Sequence, residues 1–88
     1  MHCIYFARFL LSWRTVAKPV RHQKIIGEAI RRFRKQAELS QEELAEKADL
    51  HPVYVGEVER GEEAASVFAL VRLAKALKVK VRDLVNEL

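Results

Sequence analysis

Hydrophobic and polar positions between Leu39 and Gly61 follow the pattern of two short helices joined by a tight turn. Ser40 and Glu43 have the spacing of a capping box, in which each side chain binds the backbone N–H of the other residue. Asp49 follows, a residue type that tolerates the left-handed backbone of a turn. The apolar residues that pack these two helices together are Leu44, Ala45, Ala48, Leu50, Val55 and Val58.

The second of these helices has its own start and stop signals. His51 precedes Pro52, which biases the His51 backbone away from the helical region, as an N-cap residue requires, and proline is tolerated at the first helical position. Gly61 fits the C′ position at the other end. The pattern therefore predicts a helix-turn-helix.

Two more helices are predicted downstream. Ser66 is a residue type that caps helix N-termini. Apolar residues then recur at helical spacing and indicate core-forming material: Val67, Phe68, Leu70, Val71, Leu73, Ala74 and Leu77. A last helix is predicted from Val81 to Leu88, with Leu84, Val85 and Leu88 on its apolar side.

The stretch from Ile26 to Leu88 resembles the phage-repressor and Xre type of helix-turn-helix domain. IGEAIRRFRK is similar to the first helix of that family, LSQEELAEKADL to the second, HPVYVGEVERG to the recognition helix, and SVFALVRLAKALKV with VRDLVNEL to the last two. The sequence LHPVYVGEVERG most resembles the corresponding segment of the controller proteins of restriction-modification systems. The resemblance implies an all-α, five-helix domain, usually a homodimer, that reads a palindromic operator in the major groove of double-stranded DNA.

The resemblance also implies structural roles for individual residues. The family pairs an arginine of its first helix with the glutamate of an E-R-G or E-N-G motif, which here implies a structural salt bridge between Arg34 and Glu59. In the controller proteins the apolar side of the last helix forms the dimer interface, which here implies Leu84, Val85 and Leu88. A place in the core of one domain is the alternative for these residues, above all for Leu84.

Phosphate contacts are predicted for three residues of the two central helices. Gln41 opens the first of these helices, where free N–H groups and the positive end of the helix dipole favour an anion. Tyr54 and Arg60 match positions that contact the DNA backbone in the family. The alternatives are that Gln41 is simply exposed to solvent, that the Tyr54 ring is half-buried, and that Arg60 screens the acids near it. Three cations of the first helix are also candidates: Arg31, Arg32 and Lys35.

The positions that read bases in the family correspond to Pro52, Val53 and Glu57. None of these side chains binds guanine or adenine in a bidentate manner. Val53 is suited to a thymine methyl group, and Glu57 can accept from cytosine N4. We therefore expect a weak direct code, with DNA deformability or the N-terminal arm as further sources of specificity.

The formal net charge of +4 is unevenly distributed. Residues 1–24 contain five Lys and Arg and no acid, whereas residues 25–88 contain eleven Lys and Arg and twelve acids. Cations that neutralise phosphates supply most non-specific DNA affinity. We therefore expect the acidic recognition helix to bind DNA poorly unless other helices supply the positive charge. The alternative function is an antitoxin-like interaction module whose acidic face binds a basic partner protein.

We divide the chain into an N-terminal apolar and basic extension, residues 1–24, and a helix-turn-helix domain, residues 25–88. The extension contains CIYFARFLLSW, followed by a basic stretch with Pro19. It is interpreted as an arm or an extra helix. Four readings stay open: a dimerising helix, which we favour, a membrane-surface segment, a DNA-contacting arm, or upstream sequence added by a misplaced start.

Several other classes of protein are disfavoured. Cys3 is the only cysteine, so no intramolecular disulfide forms, which suits the cytoplasm. No apolar run approaches the roughly 20 residues of a membrane-spanning helix, so a membrane partner is not expected. The sequence shows no Gly-rich phosphate loop, activated nucleophile or metal-ligand spacing. We therefore predict that the protein is not an enzyme and needs no cofactor or metal.

Overall fold

The structure is a computed structural model that describes residues 21–88, and this part of the chain folds into five α-helices without a strand. Predictions for residues 1–20, including the role of the extension, lie outside the described residues. The all-α, five-helix prediction is confirmed. The helices are α1 (Arg21–Gln36), α2 (Gln41–Ala48), α3 (Pro52–Glu59), α4 (Val67–Leu77) and α5 (Val81–Val85).

The start and end of α2 form as the sequence predicts. The Ser40 hydroxyl accepts from the Glu43 N–H at 3.0 Å, and the Glu43 carboxylate accepts from the Ser40 N–H at 2.8 Å. These bonds hold the carboxyl ionised and lower the pKa of Glu43, the bond from the Ser40 backbone most strongly. Asp49 ends the helix with a left-handed backbone, φ 57° and ψ 47°. The capping box and the turn are both confirmed.

Local signals also define α3. His51 is its N-cap, and the Nδ1 atom of His51 accepts from the Val53 N–H at 3.1 Å. Pro52 occupies the first turn, and Gly61 follows the helix with φ 75°. The helix α3 therefore begins and ends where the sequence predicts.

The first helix is longer than the sequence indicates. It begins at Arg21, five residues before Ile26, so the last residues of the predicted extension form its first turn. Gly27 of α1 lies directly against the carbonyl groups of Val58 and Glu59, where an added Cβ would overlap backbone atoms. This glycine lets α1 and α3 approach closely.

The core contains the apolar faces of all five helices, but α4 contributes fewer residues than predicted. Val67, Phe68 and Val71 are exposed, which corrects their assignment to the core. Apolar residues cover more than one side of α4, and only one side packs inward. The residues of α4 that are buried are Ala69, Leu70, Leu73, Ala74 and Leu77.

The C-terminal helix also differs from its prediction. It ends at Val85, and Lys80 precedes it without a side-chain cap, because a lysine side chain carries no acceptor. Leu84 is completely buried within the core. Leu84 therefore occupies the core position that the sequence analysis gave as the alternative to the dimer interface. Val85 is half-buried and Leu88 is exposed, so both retain surface for a partner.

No helix within residues 21–88 combines the length and the apolar character that crossing a membrane requires.

Candidate nucleic-acid interface

Glu59, the last residue of α3, is buried and accepts three hydrogen bonds. Arg34 of α1 donates from Nε to Glu59 Oε2 at 2.7 Å and from Nη2 to Oε1 at 3.0 Å. Gln41 of α2 donates from Nε2 to the same Oε1 at 3.0 Å. Only 12% of the Arg34 side chain and 2% of the Glu59 side chain are exposed. The predicted Arg34–Glu59 pair is present, and one carboxylate ties α3 to both α1 and α2.

Two contacts of this cluster were missed by the sequence analysis. Arg34 also donates from Nη1 to the Leu39 carbonyl oxygen at 2.9 Å, which ties it to the segment between α1 and α2. Gln41 was considered only as a phosphate ligand, and nothing in the sequence links it to a glutamate 18 positions away. Its half-buried amide still has a second N–H on Nε2, and its backbone N–H lies in the first turn of α2.

Arg60 follows α3 and is paired with Glu62. The Arg60 Nε and Nη2 atoms donate to the two Glu62 carboxylate oxygens at 3.0 and 3.2 Å. This hydrogen bonding raises the pKa of Arg60 and lowers the pKa of Glu62. A phosphate that binds Arg60 must therefore compete with an internal carboxylate.

Gly56 brings two of the predicted phosphate ligands together. A Cβ added at Gly56 would lie 3.0 Å from Arg60 Nη1 and 3.4 Å from Gln41 Oε1. Both atoms are at the ends of flexible side chains, which meet over the backbone of α3 where no side chain separates them. The structure thus places the Arg60 guanidinium and the Gln41 amide side by side.

Tyr54 is the half-buried ring that the sequence analysis gave as the alternative. Its hydroxyl oxygen accepts from the Ser66 N–H at 3.3 Å, which connects α3 to the start of α4. Because a phenol both accepts and donates, the Tyr54 proton stays available for a phosphate oxygen.

The predicted base-reading residues share the outer side of α3. Pro52 and Val53 are exposed, Val53 by 60%, and Glu57 is half-buried. Val53 and Glu57 are four residues apart and therefore lie on one helix face. The helix α3 itself contains no Lys or Arg, so among the described residues the cations for phosphate lie at its margins.

The candidate cations of α1 divide into two groups. Gly27 and Arg34 both contact α3. Arg31 lies one turn from each of them, so it flanks α3. Lys35, four residues after Arg31, extends the same face of α1. Arg32 instead lies 3.7 Å from Glu87, beside the C-terminus. The structure does not bring Arg32 together with the other candidates.

Lys24, which the sequence analysis assigned to the extension, also lies beside the end of α3. It packs against Gly61, immediately after α3. Its place was hidden because no cap residue marks where α1 begins, so the sequence did not show that Lys24 is helical.

The buried polar side chains around this surface are already satisfied by the fold. Within residues 21–88, no buried side-chain nitrogen or oxygen lacks a hydrogen-bond partner, and no three His, Cys, Asp or Glu residues are grouped as metal ligands. A ligand at this surface therefore binds to polar groups that the fold leaves free, such as the second N–H of Gln41 and the hydroxyl proton of Tyr54.

Comparisons with known proteins agree with this geometry. The model of the helix-turn-helix family matches residues 30–84. Control protein C.SmaI from Serratia marcescens is 43% identical over 64 residues, which are 73% of this chain and 76% of that protein. The immunity repressor protein of Bacillus phage phi105 is 37% identical over 62 residues, 70% of this chain and 43% of the repressor. The crystal structure of the restriction-modification controller protein C.AhdI from Aeromonas hydrophila superposes with a TM-score of 0.69 at 39% identity, covering 70% of this chain and 94% of that one.

Proposed function

Because this chain belongs to the helix-turn-helix family of the phage-repressor and Xre type, we propose that it regulates transcription as a symmetric dimer on a palindromic operator. That the chain is a DNA-binding transcription regulator follows from the family and its relatives, which are regulatory DNA-binding proteins and not enzymes. The dimer, the operator, the contact residues and action in the cytoplasm are the proposal. None of these relatives is named as an antitoxin, so the interaction-module alternative is not carried forward.

The observation that carries the proposal is the fixed position of α3. Its inner side is held by the Glu59 carboxylate through Arg34 and Gln41, while Val53 and Glu57 remain accessible on its outer side. A helix that is anchored on its inner side and exposed on its outer side is suited to enter the major groove, whose width admits an α-helix.

Phosphate contacts are assigned to the margins of α3. Gln41 offers an amide N–H at the start of α2, and Arg60 lies beside it above Gly56. Tyr54 offers its hydroxyl proton, and Arg31 with Lys35 extends this margin along α1. Such contacts position the protein on the duplex but carry no sequence information by themselves.

Base contacts are assigned to the outer face of α3. Val53 contacts a thymine methyl group and Glu57 accepts from cytosine N4, with Pro52 exposed beside them at the start of the helix. Two apolar or single-acceptor contacts give little discrimination, so deformation of the DNA between half-sites supplies the remainder.

The dimer is assigned to the C-terminal end of the domain. With Leu84 withdrawn into the core, Val85 and the exposed Leu88 are the residues that meet a second copy. Since C.SmaI is named a control protein and C.AhdI a restriction-modification controller, we further assign this chain to the control of a restriction-modification system.

The test is selection of bound DNA from a random pool, followed by footprinting. We expect two protected half-sites about one helical turn, roughly 34 Å, apart. Gln41→Ala should weaken binding to all sequences about equally, whereas Glu57→Ala should change the preference at one base pair. Lys47→Ala, at the exposed end of α2, is the matched control and should leave both unchanged.

Two results would contradict the proposal. Protection of one non-palindromic half-site by a protein that sediments as a monomer would remove the dimer and the operator together. An unchanged base preference in Glu57→Ala would remove the assignment of base reading to α3.

A further inference from the structure

The outer side of α4 carries an apolar surface made of Val67, Phe68 and Val71. These side chains are 75%, 69% and 38% exposed. Val67 and Phe68 are four and three residues before Val71, so the three side chains adjoin on the helix surface. Single exposed apolar residues are ordinary, but a contiguous group on one helix marks a surface that another element covers.

One side of Phe68 is already occupied. The Arg72 guanidinium lies over the Phe68 ring, 4.6 Å from its centroid, and is held there by the Asp49 carbonyl oxygen at 3.0 Å. Arg72 therefore fixes the Phe68 ring in place and leaves its other side, with Val67 and Val71, open. The apolar surface is preformed.

The chain that precedes α1 starts close to this surface. With its amide oriented to suit both partners, Gln23 donates to the Gly61 carbonyl at 3.2 Å and accepts from the Ala64 N–H at 3.3 Å. Lys24 packs against Gly61 as well. Phe68 is only four residues beyond Ala64, which limits their separation to about 14 Å. The first turn of α1 thus lies beside the loop that leads into α4.

The preceding sequence has matching chemistry. Residues 4–13, IYFARFLLSW, are apolar except for Arg8 and Ser12. Residues 14–20 then carry Arg14 and Lys18 with no acid, and the loop between α3 and α4 presents the exposed Glu62 and Glu63. Trp13 is eight positions before Arg21, so the chain between them spans up to about 28 Å. Length and charge both allow the apolar segment to reach α4 while the basic stretch passes the acidic loop.

We propose that residues 4–13 of the same chain cover Val67, Phe68 and Val71. The reach of the preceding chain and the positive charge of residues 14–20 beside Glu62 and Glu63 favour this segment over a second copy as the occupant. The proposal assigns an occupant to the apolar face of α4 and is independent of DNA binding.

The chain contains natural probes for this contact, since Trp13 is its only tryptophan and Cys3 its only cysteine. In the full chain without DNA, we expect Trp13 emission at short wavelength and weak quenching by acrylamide. Phe68→Ser should move the emission to longer wavelength and increase quenching at unchanged helix content. Val53→Ser, which removes a similarly exposed apolar side chain from α3, is the control and should change neither.

A second measurement locates the contact directly. A nitroxide attached to Cys3 should broaden the methyl resonances of Val67 and Val71 more strongly than those of Val53. Glu63→Lys should reduce this broadening, because it places a cation where the basic stretch passes.

Three results would overturn the proposal. Emission of a solvent-exposed Trp13 in the unmodified chain would show that the segment is not docked. Burial of Trp13 that grows with protein concentration would assign the surface to a second copy. Equal broadening at Val53 and Val67 would show that the segment has no preferred site. Each measurement is made without DNA, so none of these results bears on the proposed operator.

Discussion

Two arginine–glutamate pairs adjoin the end of α3, and they have similar geometry but different surroundings. Arg34–Glu59 and Arg60–Glu62 each form two N–H···O bonds, with Nε–Oε2 distances of 2.7 and 3.0 Å. The side chains of the first pair are 12% and 2% exposed, and those of the second are 55% and 57% exposed. Burial therefore decides their roles, because a stranded buried charge is expensive whereas an exposed pair exchanges its partner for another anion.

The largest effect is expected from Arg34→Met, which leaves the buried Glu59 carboxylate with only Gln41 as a donor. Loss of one partner from a buried pair costs about 3–5 kcal/mol. We expect a fall of this size in the free energy of unfolding, measured with urea, and partial recovery in the Arg34→Met, Glu59→Met double mutant. Arg60→Met is the control and should hardly change stability. A coupling energy within about 0.5 kcal/mol of zero would show that burial does not distinguish the two pairs.

The second prediction compares two glycines near these pairs. Gly27→Ala places a methyl group against the backbone carbonyls of Val58 and Glu59, which cannot move without shifting α3. Overpacking of this kind costs about 1–3 kcal/mol. Gly56→Ala meets only the flexible ends of Arg60 and Gln41 and gains helix propensity, so it should be neutral or stabilising.

Thermal unfolding of both glycine variants is the measurement. Equal destabilisation by the two alanines would show that the space beside Gly56 is as closed to a methyl group as the contact between Gly27 and α3.

The third prediction concerns the support that α2 gives to the buried pair. Ser40→Ala removes the hydroxyl that accepts from the Glu43 N–H, and loss of such a cap costs about 1 kcal/mol. The first turn of α2 presents Gln41 to Glu59, and its protected amides are those of Glu43 and Leu44, which donate to Ser40, so amide exchange at Glu43 and Leu44 should also increase. Ser66→Ala, the corresponding cap of α4, is the control for a general loss of stability. Unchanged exchange at α2 in Ser40→Ala would show that the cap does not hold Gln41.

The smallest effect on stability, but a clear effect on DNA binding, is expected from Glu62→Gln. This change frees the Arg60 guanidinium for phosphate, so the salt dependence of binding should steepen by about 0.9 for each added contact. Acid should act in the same direction. The hydrogen bond from Arg60 lowers the pKa of Glu62. The pair therefore stabilises the fold at pH values above the pKa of the unfolded carboxyl group. This contribution is lost as the pH falls through the pKa of the folded state, where protonation of Glu62 releases Arg60.

Salt titrations of the two proteins at neutral pH measure this effect. Glu63→Gln, which removes an equal charge from the same loop, is the control. An identical salt dependence in Glu62→Gln and Glu63→Gln would show that Arg60 does not exchange Glu62 for phosphate.

The sequence was most informative where a backbone conformation depends on one residue. Ser40, Asp49, Pro52 and Gly61 each act on the backbone beside them, and all four helix boundaries that they mark were predicted. The Arg34–Glu59 pair was accessible only through the family resemblance, because its partners are 25 positions apart.

What the sequence missed depends on packing across helices. The apolar residues of α4 occupy more than one side, and the pattern did not show that Phe68 faces outward while Leu73 faces inward. Leu84 was left open between dimer interface and core, because the apolar side of a terminal helix has the same sequence pattern whether it packs on the domain's own core or on a second copy. The bond from Gln41 to Glu59 has no signal in the sequence, since it depends on the crossing of α2 and α3.

The histidine cap of α3 fixes which nitrogen of an exposed imidazole carries the hydrogen. His51 Nδ1 accepts from the Val53 N–H, so the neutral ring carries its hydrogen on Nε2. Because His51 is exposed, this Nε2–H group is a donor that a phosphate oxygen can accept at the start of α3. The side chain that caps the helix thereby also supplies a hydrogen-bond donor beside Val53.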